Sequence, residues 1–172
     1  MTDSVSTRIA RAGAVAALYF LLTAAFSPIS FGAIQFRLSE CLCILPLIIP
    51  EAAIGLTFGC FISNMMFSTP IDALFGTIAT AVSAFLTVLA GKYIKKRGLA
   101  FFLGCLSPAI INGILVPFGI LMQTSSGEAY SWQAYFVTAW QIALCEAFSV
   151  YVCGGIMFIF IAKYAKKHSK DE

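Results

Sequence analysis

Apolar runs, separated by short stretches carrying proline, glycine or charge, repeat along the whole chain. A helix needs about 20 predominantly apolar residues to cross the hydrocarbon of a bilayer. On that scale the pattern predicts six spans, at about 9–26, 40–49, 52–67, 71–93, 99–122 and 133–162. The first is separated from the second by an irregular stretch, Ser27 to Ser39, rich in Pro, Gly and Ser. The second is short and carries Pro46, and Pro50-Glu51 precedes the third. One long helix across both runs is the rival reading, and the two prolines argue against it. Ser68-Thr69-Pro70 opens the fourth span, with Asp72 in its first turn, where a carboxylate suits the helix dipole. Pro108 and Pro117 lie inside the fifth, where each frees a backbone carbonyl that needs another donor. The sixth is too long to stand perpendicular, so its ends should tilt or protrude. The fold class expected is an all-α integral membrane protein, a six-transmembrane-helix bundle in which residues 1–172 form a single membrane domain.

Composition narrows the function classes. Of 172 residues, 60% are hydrophobic and 11% charged, and mean hydropathy is +0.91. That excludes an ordinary soluble domain and leaves no room for a soluble catalytic or nucleotide-binding module. No Walker-type phosphate loop is present. The six cysteines all fall in apolar runs and read as small packing residues. Cys41-x-Cys43 has no nearby histidine or second cysteine pair, so neither a metal nor a cofactor is expected. The single histidine, His168, lies in the basic tail, and no nucleophile–base pair is visible, which argues against an enzyme. Arg8 and Arg11 precede the first run, but the next apolar run follows quickly without a convincing cleavage site. The first run therefore reads as a retained helix rather than a signal peptide.

Charge sets an expected orientation. With six spans and the N-terminus inside, ten of the eleven Lys and Arg residues fall on the inner side and Arg37 alone outside. The net charge of +3 then reports orientation in a lipid bilayer, with no nucleic-acid partner implied. The Lys163–Lys170 tail is a candidate contact for anionic lipid. Against this background Arg37, Glu40, Glu51, Asp72 and Glu146 stand in or beside apolar runs, and ionisable groups at membrane depth point to function. With Gln35, Asn64 and Asn112 they suggest a polar pocket inside the bundle.

Several segments resemble a known family. Gly32-Ala33-Ile34-Gln35-Phe36-Arg37-Leu38-Ser39-Glu40 followed by Leu45-Pro46, then Gly59 to Asn64, Ile71 to Thr80, Pro108 to Asn112 and Glu146-Ala147, together resemble the QueT family of queuosine-precursor transporters. The likeness extends from about Ala10 to Gly155. It implies a substrate-binding S component of an energy-coupling-factor (ECF) importer, with both termini cytoplasmic in a bacterial plasma membrane. It also implies a transmembrane coupling subunit and two ATPase subunits as partners, and a 7-deazaguanine base as substrate. A self-sufficient membrane transporter for another small molecule, such as a vitamin, is the alternative; such carriers are usually longer and show internal repeats, and none is visible here.

A deazaguanine offers adjacent N–H and amino donors and a carbonyl acceptor, which suit a carboxylate and an amide or guanidinium. Substrate-binding candidates are Gln35, Phe36, Arg37, Glu40, Asn64, Asp72, Asn112, Trp140 and Glu146. Glu146 reads either as a ligand for the base edge or as a structural carboxyl bonded to a neighbouring helix. Asn112 reads equally as a ligand contact or an interhelical hydrogen bond. Asp72 reads either as a ligand contact or as a helix cap, and Arg37 either as a ligand contact or, three residues from Glu40, as half of a pair that closes the pocket like a lid. Glu51 fits a cap or a cytoplasmic contact better than a substrate ligand. Phe36, Tyr135 and Trp140 are the stacking candidates, while Tyr130 and Trp132 suit an interfacial belt. Ala10, Gly13, Ala14 and Ala17 permit close helix approach; the resemblance implies that they dock the coupling subunit, and packing within the bundle is the other use.

Overall fold

The structure is a computed structural model that describes residues 4–31, 35–124 and 131–168, and for 123–124 and 162–168 the backbone alone. Tyr130 and the side chains of the tail lysines, both assigned roles above, lie outside what is described. Every described regular element is helical. Four stretches, Val5–Ala25, Pro70–Tyr93, Arg97–Met122 and Trp132–Ile161, are long and apolar enough to cross a membrane, and Leu38–Leu47 and Ala52–Phe67 are shorter apolar helices.

Helix α1 (Val5–Ala25) starts at Ser4, whose hydroxyl accepts from Thr7 N at 3.2 Å. One further turn, α2 (Ser27–Ser30), occupies part of the stretch expected to be irregular; Pro28 has no N–H to lose at a helix start, so it favours that turn. The expected second span is a ten-residue 3₁₀ helix, Leu38–Leu47, with Pro46 inside. A 3₁₀ helix rises about 2.0 Å per residue, so ten residues reach deeper than an α-helix of the same length. Seven of its residues are buried, from Ser39 and Glu40 through Leu42 to Pro46. It is therefore the packed centre of the fold, clustered with Val15, Tyr19, Leu56, Cys105 and Val150.

Helix α3 (Ala52–Phe67) runs alongside α1 in the same direction. Glycine makes this approach possible. A Cβ on Gly55 would lie 2.3 Å from the Ala12 carbonyl oxygen, and one on Gly59 2.9 Å from both the Ala16 oxygen and Tyr19 Cβ. At the starts of the two helices Arg8 Nε donates to Glu51 Oε1 at 2.5 Å. The Glu51 carboxyl is held below the usual carboxylate range, first by a backbone hydrogen bond and then by Arg8.

Helix α4 (Pro70–Tyr93) is capped by Thr69, which accepts from Asp72 N at 3.2 Å. Helix α5 (Arg97–Thr124) runs unbroken through both prolines. The ring of Pro108 frees the Gly104 carbonyl, and that oxygen accepts from Thr87 Oγ1 of α4 at 3.1 Å and from Ser107 Oγ at 3.0 Å. The last apolar run divides into α6 (Trp132–Phe148), a π-helical segment Ser149–Gly154, and α7 (Gly155–His168). It lies antiparallel to α5, pinned by Tyr135 Oη to the Ile114 oxygen at 3.1 Å and Tyr151 Oη to the Phe102 oxygen at 2.8 Å.

Candidate functional site

The start of the 3₁₀ helix carries two charged side chains into the bundle. Arg37 is 7% exposed and Glu40 fully buried. A buried charge persists only when partners replace its lost water. For Glu40 those partners are in place. The Tyr19 hydroxyl donates to Oε1, and the Cys43 thiol donates to Oε2 at 2.9 Å. Beside them Thr23 Oγ1 donates to Ser39 Oγ at 2.8 Å, which ties the 3₁₀ helix to α1.

Arg37 is provisioned differently. Its backbone carbonyl accepts from Ser149 Oγ at 2.9 Å, at the first residue of the π segment, and the Phe36 ring packs on Phe148 at 5.9 Å. Its guanidinium carbon lies 5.1 Å above the centre of the Phe31 ring, a cation–π contact. The Glu40 and Glu146 carboxyls both lie within electrostatic range, yet neither forms an ion pair with it; Arg8–Glu51 is the ion pair among the described residues. Gly76 of α4 leaves the space that Arg37 and Asn64 occupy, since a Cβ there would meet the Asn64 amide nitrogen at 2.7 Å and an Arg37 nitrogen at 3.7 Å. Asn64 Nδ2 donates to Cys60 Sγ at 3.2 Å, as does Thr80 Oγ1.

Glu146 enters from α6 and is 6% exposed, with Asn112 of α5 at 2% beside it. Glu146 Oε2 and Asn112 Nδ2 are both buried and form no well-aligned hydrogen bond, although the two side chains lie close enough to interact with each other. Each such atom costs about 1–3 kcal/mol when left unmet. An acceptor and a donor thus lie side by side with no well-formed bond between them, near an arginine that forms no ion pair: a set complementary to a small molecule with both donors and an acceptor along one edge.

The sequence matches the QueT transporter family over residues 9–163. It is also 34% identical over 161 residues to the queuosine precursor transporter QueT of Lactococcus lactis subsp. cremoris (strain MG1363), covering 91% of this chain and 94% of that one. The chain belongs to the QueT transporter family. No solved structure gave a significant match. Membership makes the chain a multi-pass membrane protein of a transporter family, not an enzyme.

Within this QueT-family chain the structure sorts the sequence candidates. It brings Arg37, Glu40, Asn64, Asn112 and Glu146 into the buried interior, with Gln35 and Phe36 half-buried at its edge. Trp140 is a correction: it is 69% exposed, because the turn of α6 that buries Ile142 and Glu146 points position 140 away from the bundle. Tyr135 uses its hydroxyl on Ile114 and packs edge-to-face against Trp132 and Phe136. Asp72 stands half-buried in the first turn of α4, where Ser68 Oγ donates to it. Arg37 and Glu40 share a backbone hydrogen bond of 3.2 Å, but their side chains do not pair. Glu51 starts α3 and pairs with Arg8, away from the buried set. Ala10, Gly13, Ala14 and Ala17 are exposed on α1, and a Cβ on Gly13 meets nothing within 4 Å. Sequence reasoning missed Tyr19 and Ser149. Tyr19 carries the signal of a polar tip in the middle of an apolar span; Ser149 has no local signal, since its partner is 112 residues away.

Proposed function

We propose that this chain is the substrate-binding S component of an ECF importer in a bacterial plasma membrane, with six passes, cytoplasmic termini and a 7-deazaguanine precursor of queuosine as cargo. The observation that carries the reading is the buried Glu146 Oε2 and Asn112 Nδ2, side by side without a well-aligned hydrogen bond, near an Arg37 that forms no ion pair. The carboxylate accepts from the ring N–H and amino group of the base, while the amide or guanidinium donates to its carbonyl, and Phe36 offers a ring for stacking. The Lactococcus relative is a queuosine precursor transporter by name, which supports the same cargo class.

The second support is the surface of α1. Ala12, Val15, Ala16 and Tyr19 are spent on α3, while Ala10, Gly13, Ala14 and Ala17 remain open. An open small-residue face in lipid suits close approach of a partner helix, here the coupling subunit that is served by two ATPase subunits. Mass spectrometry of small molecules released from the purified protein tests the cargo: a deazaguanine supports the assignment, and a different compound overturns it. Ala14→Leu tests the coupling. It is expected to abolish energised uptake and leave affinity of the isolated protein within twofold of wild type. Uptake at the wild-type level removes this face from the interface, and uptake with no coupling proteins present shows a self-sufficient carrier.

A further inference from the structure

Two apolar grooves open on the outside of the bundle, and their polar ends differ. The groove between α1 and α3, about 420 Å³, ends at Arg8 and Glu51, which neutralise each other at 2.5 Å. The groove between α5 and α7, about 450 Å³, is lined by Phe101, Tyr151, Gly155, Ile156 and Ile159 and ends at Arg97. Lys95 and Lys96 immediately precede Arg97; all three are exposed, and none pairs with a described carboxylate. Gly98 and Gly155 also line it, and Phe101 packs on Phe158 at 5.3 Å to form one wall.

We propose that the α5–α7 groove is a binding site for one anionic phospholipid, an acyl chain lying along Phe101, Gly155 and Ile159 and the phosphate held at Arg97 with Lys95 and Lys96. The argument is charge complementarity joined to shape. An apolar channel open to hydrocarbon takes a chain at little desolvation cost. Cations at its mouth that pair with no described carboxylate, at the level where an apolar span ends, attract an anionic headgroup. A zwitterionic lipid gains the first term but not the second. The α1–α3 groove, its cation already met by Glu51, lacks this preference. The inference does not depend on the identity of the transported molecule.

The test is native mass spectrometry of the full chain released from nanodiscs containing equal amounts of phosphatidylglycerol and phosphatidylcholine with identical acyl chains. The wild type is expected to retain phosphatidylglycerol over phosphatidylcholine. Arg97→Gln should lower that preference roughly fivefold, the effect of one interfacial charge, and Lys95→Gln, Lys96→Gln and Arg97→Gln together should erase it. Ile156→Trp fills the groove from its exposed edge and leaves the charges in place; it should remove the retained lipid. Equal retention of the two lipids by the wild type overturns the site, as does an undiminished preference in the triple variant. Loss in the triple variant but not in Ile156→Trp overturns the groove, leaving only a diffuse cationic surface. If Ile156→Trp instead abolishes capture of the coupling subunit while phosphatidylglycerol stays bound, the groove belongs to a protein.

Discussion

At Glu146 one buried carboxylate oxygen has no well-aligned donor, while both oxygens of Glu40 have theirs. Glu146→Gln keeps the size and turns one acceptor towards ligand donors as a donor. A mismatch of that kind in a buried site costs about 1–3 kcal/mol, so affinity for a deazaguanine should fall roughly tenfold to a hundredfold. Titration of the purified variant checks this, and affinity within twofold of wild type makes Glu146 structural. Trp140→Ala is the contrasting case: its side chain is 69% exposed, and binding should be unchanged. The charged members of the site were legible in the sequence because an ionisable group among apolar neighbours is conspicuous. Their division of labour was not. Whether a carboxylate is satisfied depends on Tyr19 and Cys43, which reach it through packing and not through any local motif.

Among the elements, α1, α3, α4 and α5 follow from apolar runs, caps and proline positions. The 3₁₀ helix did not follow. Residues 38–47 are as apolar as a membrane span, and nothing in the periodicity separates a segment surrounded by protein from one surrounded by lipid. The division of the last run by a π segment was equally hidden, because its cause is tertiary: Ser149 reaches Arg37, and Gly154 backs onto the Cys41 carbonyl. The α1–α3 contact offers a test at this scale. Gly59→Ala forces Ala16 and Tyr19 aside, which should cost about 1–3 kcal/mol as overpacking and loosen Tyr19 from Glu40. Gly13→Ala meets no atom and should leave the fold unaffected. Thermal unfolding in detergent distinguishes them, and equal midpoints for the two variants defeat the close-packing account.

For the whole molecule, the proposed orientation rests on the ten of eleven Lys and Arg residues that fall on the inner side when six spans start from an inside N-terminus. In a variant freed of its native cysteines, a cysteine at Ser131 should label from outside the cell and one at Lys96 should not; the opposite pattern reverses the topology. The contact between Ser149 and the Arg37 carbonyl has a consequence for descent. The tether grips the main chain and is indifferent to the side chain at position 37. Replacing that side chain leaves the start of the 3₁₀ helix tethered to Ser149. Position 37 can therefore change its side chain without losing that anchor, and a replacement that fits the space against Phe31, Asn64 and Gly76 would give the same architecture a different taste.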